Sequence, residues 1–179
     1  MTKKEICLYF PLILFFLLGI FLSFGLFKDL RQIPSELIDK PAPHFLLPSL
    51  FDERKKISSN RLKGKVTFIH VWASWCRTCQ QEKNVLWQVK QIQNLKMIAW
   101  NYKDQPLEAK QFLERQGNPY DEVLWDEKGV DAIKWGIYAV PQTFVVDKHG
   151  VVRYGYQGSL NKYGIEKEIQ LIIKRLQNE

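Results

Sequence analysis

Apolar residues fall into a few blocks along this chain, and their spacing predicts its elements. From Ile6 to Phe27 there is neither a charge nor a polar face. A bilayer span needs about 20 such residues, so the stretch predicts an N-terminal transmembrane helix and not a buried helix of a soluble domain. Lys65–Ala73, with Val66, Phe68, Ile69, Val71 and Trp72, predicts a central strand. Val85, Leu86, Val89 and Ile92 recur at helical spacing and predict a helix from about Cys76 to Gln93. A strand is expected over Met97–Tyr102, and a helix over Leu107–Gln116 that stops at Gly117-Asn-Pro119. A short helix follows at Asp131–Trp135. Strands at Thr143–Asp147 and Val151–Tyr156 flank the loop Lys148-His-Gly150, and a C-terminal helix spans Lys162–Leu176. Strand–helix–strand–helix–strand–strand–helix describes an α/β domain with a mixed sheet: a βαβ unit, then a hairpin, then a covering helix.

Charge refines the organisation. Lys3 and Lys4 precede the apolar run and favour a cytoplasmic N-terminus, a signal weakened by Lys28 and Arg31 beyond it. A cleavable signal peptide would need a small-x-small site, and Leu22-Ser-Phe-Gly-Leu-Phe27 offers none, which favours an uncleaved anchor. The expected layout is a cytoplasmic 1–5, an anchor 6–27, a polar tether 28–40 and one domain 41–179, with no internal repeat or low-complexity tract. The net charge of +7 is spread among interleaved acids, and residues 161–179 alternate in sign as a solvated helix face does, so nucleic acid is not an expected partner.

The chemistry lies in Val71-Trp-Ala-Ser-Trp-Cys-Arg-Thr-Cys79. A Cys-x-x-Cys pair is either half of a zinc site or a redox couple. Zinc needs about four ligands, there is no second cysteine pair, and His44, His70 and His149 have no ligand spacing, so no metal site or cofactor is expected. Cys7, at the cytoplasmic edge of the anchor, reads as apolar filler. As a redox pair, Cys76 at the start of a helix gains from unpaired N–H groups that favour a thiolate, the form that attacks disulfides. Cys79, one turn deeper, then resolves the mixed disulfide and must lose a proton to do so. Glu82, three residues on, is the candidate base, or else a carboxylate that complements the helix dipole. Trp75, Arg77 and Thr78 lie beside the sulfurs as candidate docking residues. Downstream, Val140-Pro-Gln-Thr143 enters a strand; a cis Pro141 would hold Val140 beside Cys76 and present backbone to an extended peptide. A Cys-x-x-Cys with such a strand entry resembles thioredoxin-like redox proteins.

Val71-Trp-Ala-Ser-Trp-Cys-Arg-Thr-Cys-Gln-Gln-Glu82, Asn101-Tyr-Lys-Asp104, Gly117-Asn-Pro-Tyr120, Gly136-Ile-Tyr-Ala-Val-Pro-Gln-Thr-Phe144, Asp147, Gly150 and Val151-Val-Arg-Tyr154 together resemble the DsbE/CcmG family, over roughly Lys40 to Leu176. The resemblance implies a thioredoxin-like mixed sheet flanked by helices, a redox-active Cys76–Cys79 disulfide and a functional acid at Glu82. It also implies a role as a reductant of apocytochrome c, or of its thiol-handling maturation partners, and a DsbD/CcdA-type membrane reductant as electron source. The implied location is the bacterial inner membrane, with a single pass and a periplasmic catalytic domain.

Three positions depart from that family. Arg77 stands in place of Pro; a cation there would stabilise the Cys76 thiolate and make the couple milder, unless it is simply a solvated docking residue. Gln142 stands where the family often has Glu. His70, where the family tends to have Asn, reads first as a hydrogen-bonded core histidine and second as a shuttle for the Cys79 proton. Rival readings are a general extracytoplasmic thioredoxin of the ResA/TlpA kind or weak oxidase, and a copper or haem chaperone using both cysteines as soft ligands.

Overall fold

The computed structural model describes residues 11–12, 14–20, 37–161 and 164–179. The chain divides into two compact units, Met1–Arg31 and Gln32–Glu179. In the first, residues 11–12 and 14–20 are helical and exposed. Among the described residues no helix is long and apolar enough to cross a membrane. The ends of the expected 6–27 anchor, the 1–5 segment with its lysines, and most of the 28–40 tether lie outside the described residues.

In the second unit, five strands form one sheet. Their chain order is β3 (Thr67–Trp72), β4 (Lys96–Tyr102), β5 (Glu122–Asp126), β6 (Gln142–Val146) and β7 (Val152–Gln157), and their spatial order is β5-β4-β3-β6-β7. β3, β4 and β5 run parallel, while β6 is antiparallel to both β3 and β7. A small hairpin of β1 (Leu46–Pro48) and β2 (Lys56–Ser58) precedes them. The helices are α1 (Lys83–Lys90), α2 (Pro106–Gln116), α3 (Val130–Lys134) and α4 (Ile165–Asn178). All six residues of β3 are buried, as a strand covered on both faces requires. One face packs Ile69 and Val71 with Phe45, Trp100, Trp135 and Phe144; the other packs Phe68 and Met97 with Val85, Ile169 and Ile173. Trp135 meets Phe45, Trp100 and Phe144 at ring-centroid distances of 6.2, 5.6 and 5.3 Å. Residues 37–40, assigned to the end of the tether, are docked on this unit: Leu37 and Ile38 pack on the first core, and Asp39 pairs with Arg153 at 2.7 Å.

The expected α/β mixed sheet is present, with three differences. The helix expected from Cys76 starts as a turn, continues as a 3-10 segment over Cys79–Glu82 and becomes α-helical only at Lys83. A 3-10 turn has three residues per turn and eclipses positions i and i+3, which stacks Cys79 and Glu82 on one buried side. The strand β5 and the β1–β2 hairpin were not expected. β5 is short and flanked by acids, unusual strand residues. Its Glu122 is matched by Arg61 at 2.8 Å and Lys96 at 3.0 Å. Burial alone would raise the Glu122 carboxyl, but those two cations outweigh it and hold it below the ordinary value.

Candidate active site

The carboxyl end of β3 delivers the chain into a turn, Ala73–Thr78, that carries both cysteines. Ligand sites in open α/β sheets lie at this end of the strands. Cys76 and Cys79 are joined by a disulfide, with Cα atoms 5.3 Å apart. The Cys79 backbone N–H donates to Cys76 Sγ at 3.1 Å. That donor sits where a Cys76 thiolate would need one. Cys76 is only 5% exposed. The small opening follows from local packing: Cys76 and Cys79 join Trp72, Ala73, Phe112 and Leu113 in one cluster, and Val140 packs against it.

The flanking residues are outside that cluster. Trp75 is 59% exposed, and its indole Nε1 donates to the Lys103 carbonyl at 3.0 Å. That bond fixes it as an aromatic edge of the turn. Arg77 and Thr78 are exposed, and Arg77 forms no ion pair with a described residue. The Val140–Pro141 peptide is cis, and β6 begins directly after it. Tyr138, two residues before Val140, is also exposed.

Two polar networks brace the turn from behind. In the first, Asp104 is buried at the end of the β4 segment. Its carboxylate accepts from Ser74 N at 2.5 Å, Ser74 Oγ at 2.6 Å, Asn101 Nδ2 at 2.8 Å and Gln105 N at 2.9 Å. The same loop receives the indoles of Trp75, on the Lys103 carbonyl, and Trp125, on the Asp104 carbonyl. Asn101-Tyr-Lys-Asp104 is thus the clamp on the residues just before Cys76. It was legible as a motif but not as a device, because Ser74 and Asp104 are thirty residues apart in the chain.

In the second network, Glu82 is fully buried and accepts from the Leu160 backbone N–H at 2.7 Å. Its other oxygen lies 3.2 Å from Nε2 of His70, which is 1% exposed. His70 Nδ1 in turn lies 2.6 Å from the Tyr120 hydroxyl. Burial first, and the charge of Glu82 second, push the Tyr120 phenol well above its ordinary range. Glu82 and His70, treated separately in the sequence, form one pair. The third member, Tyr120, was visible only as the end of Gly117-Asn-Pro-Tyr120.

Gln142 is fully buried in β6 opposite Val71, and neither of its amide atoms finds a hydrogen-bond partner among the described residues. Replacing a buried, unpaired amide with an apolar side chain of similar volume removes a desolvation cost. Gln142→Met is therefore expected to stabilise the fold by about 1–2 kcal/mol, read as a rise in the urea midpoint with an unchanged m-value. A lower midpoint would mean that Gln142 is satisfied in solution. His44 and His149 are exposed, one before β1 and one in the β6–β7 hairpin, and neither belongs to the site. Among the described residues no three His, Cys, Asp or Glu side chains converge as metal ligands would.

Comparison with known proteins agrees with this geometry. The redoxin family profile matches residues 38–169. The thiol:disulfide interchange protein DsbE of Allochromatium vinosum is 40% identical over 167 residues, covering 93% of this chain and 92% of the relative. DsbE of Escherichia coli K12 is 34% identical over 99% of this chain and 98% of its own length. A solved Chlorobium tepidum structure assigned to DsbE superposes with a TM-score of 0.64 at 26% identity, covering 76% of this chain and 95% of the other. A Cys-x-x-Cys disulfide at the carboxyl end of the central strand, beside a cis-proline and on a sheet shared with these relatives, makes this chain a redoxin-fold disulfide oxidoreductase of the DsbE family of thiol:disulfide interchange proteins.

Proposed function

We propose that this protein is a membrane-tethered periplasmic reductant that keeps apocytochrome c thiols, or those of a maturation partner, open for haem attachment. Likeness to DsbE proteins over almost the whole chain, N-terminal segment included, carries the reading. The electrons come from a DsbD/CcdA-type reductant in the same membrane. In the reaction, the Cys76 thiolate attacks one sulfur of the client disulfide, and the other sulfur leaves as a thiolate and takes a proton. Cys79 then gives up its proton and attacks Cys76 Sγ; the client's second thiolate departs, and two electrons have passed from protein to client. Glu82, stacked with Cys79 in the 3-10 turn and buried, is the base for that proton. Trp75, Arg77, Thr78, Val140 and Pro141 form the rim on which an extended client segment docks.

The test is genetic and chemical. Cells whose only copy carries Cys76→Ala are expected to lose haem-stained c-type cytochromes and to regain them when a small thiol reductant is added. Unchanged cytochrome in that strain would remove the reading. Arg77 supplies a further prediction. An exposed cation beside Cys76 stabilises its thiolate modestly, so Arg77→Pro should make the couple more reducing by roughly 10–20 mV. Equilibration with glutathione measures this, and an equal or less negative potential would show Arg77 to be a docking residue only.

A further inference from the structure

The mechanism uses Glu82 but leaves unexplained why two more groups are strung behind it. We propose that Tyr120 is the group that takes the Cys79 proton, handing its own hydroxyl proton to His70 and so to Glu82. The proposal rests on the reading of Glu82 as the base and supplies the route by which the proton arrives.

The donor pattern is consistent at every joint. Leu160 N–H is a fixed donor to Glu82, and an ionised Glu82 accepts again from His70 Nε2–H. With Nε2 protonated, neutral His70 has a bare Nδ1, which must accept from the Tyr120 O–H 2.6 Å away. The phenol oxygen is left with lone pairs and no described donor. Its raised pKa keeps Tyr120 protonated throughout the working range, so it always has a proton to pass on.

Tyr120 meets Cys79 at a cleft. Tyr120 and Cys79 line the same apolar recess with Leu86, Trp87, Phe112 and Lys83. The recess has a volume of about 20 Å³, room for one water. Tyr120 is half-buried, so the chain runs from the buried carboxylate out to the wall beside Cys79. Gly117-Asn-Pro-Tyr120 builds that wall. Gly117 takes φ +84 against the Trp87 ring, where a Cβ would lie 3.1 Å from Cζ2, and Asn118 Oδ1 accepts from Tyr120 N at 3.1 Å.

Protons balance in both states. Before transfer, the O–H of Tyr120 points to His70, and Nε2–H of His70 points to Glu82. After transfer, Glu82 is the acid and donates to Nε2. Nδ1–H then donates to the phenol oxygen, whose new proton points back at the Cys79 thiolate. The same heavy-atom positions serve both states, so the transfer needs no rearrangement. Among the described residues, few other charged or titratable groups face the chain. β4 and β6 place Ala99 and Thr143 opposite His70; Tyr156 of β7 lies beyond Thr143, and Lys83 of α1 is the cation on the recess.

Stopped-flow reaction of the reduced full-length protein with excess Ellman's reagent separates the two cysteines. A first, concentration-dependent release reports attack by Cys76. A second, concentration-independent release reports closure by Cys79. Tyr120→Phe keeps the ring stacked on His70 (centroids 6.0 Å apart, 17° between planes) and removes only the hydroxyl. It is expected to slow the second phase about tenfold or more at neutral pH, to make that phase climb with pH toward an unassisted thiol near 8.5, and to leave the first phase unchanged. His70→Asn, which retains a polar group but cannot pass a proton in this way, should behave alike, and Glu82→Gln should also slow the second phase. If Tyr120→Phe stays within about twofold of the parent across pH while Glu82→Gln is slow, the relay is overturned and the base reading stands. If Glu82→Gln is also unaffected, both fall. Slow closure in Tyr120→Phe with normal closure in Glu82→Gln would overturn the route to Glu82.

Discussion

Cys79→Ser is expected to convert this protein from a turnover catalyst into a trap. The substitution leaves the first step intact: the residue 79 backbone N–H that donates to Cys76 Sγ at 3.1 Å remains, and the hydroxyl occupies nearly the same space in a site only 3% exposed. Cys76 still attacks a client disulfide, but no thiol is left to release it. Catalytic reduction of a disulfide substrate should fall on the order of 10³-fold, while single-turnover formation of the Cys76 mixed disulfide persists. Non-reducing electrophoresis after thiol blocking would display the covalent adduct, and peptide mapping would place it at Cys76. Adducts at residue 79 in the reciprocal Cys76→Ser protein, and none in Cys79→Ser, would reverse the assigned roles.

The second large effect is structural. Asp104→Ala removes an acceptor of four hydrogen bonds from a site 5% exposed. Asn101, itself fully buried and with Oδ1 unpartnered among the described residues, would lose its partner as well. Leaving several buried donors unsatisfied is expected to cost about 3 kcal/mol and to lower Tm by roughly 6–12 °C in a domain of this size. Because Ser74 begins the turn that carries Cys76, the same variant should also disturb the redox potential, which a mutation that merely loosened the far side of the sheet would not. Asp104→Asn keeps one acceptor oxygen for Ser74 and should recover part of the loss. Thermal unfolding and glutathione equilibration of the three proteins decide this. An unaltered Tm in Asp104→Ala would show that the network stabilises nothing.

The elements whose apolar periodicity repeats over several residues were readable in the chain: β3, β4, β6, β7, α2, α3 and α4 lie close to their expected positions, while α1 is shorter and starts seven residues late. What was not readable depends on distant partners. β5 carries acids at both ends and becomes a strand because Arg61 and Lys96 neutralise Glu122. The segment after Cys76 has helical periodicity in its apolar residues, yet Cys79–Glu82 winds as a 3-10 turn, which periodicity over so few residues does not distinguish. Cys76, Cys79 and Pro141 stood out because their patterns are local; the structure joins the two cysteines in a disulfide and makes the Val140–Pro141 bond cis. The link from Glu82 to His70 crosses from a turn to a strand, and the link from His70 to Tyr120 spans fifty residues, so neither follows from local spacing. Asp104 and Tyr120 appeared only as letters of motifs, and contacts gave each a physical task.

The central claim is that Cys76 and Cys79 work as a reductant. The measurement that tests it most directly is their redox state in living cells, read by trapping free thiols with a mass tag, with and without the membrane reductant. The account predicts a mostly reduced pair that becomes oxidised when the reductant is removed. A pair that is oxidised in both strains would contradict it and favour an oxidase instead.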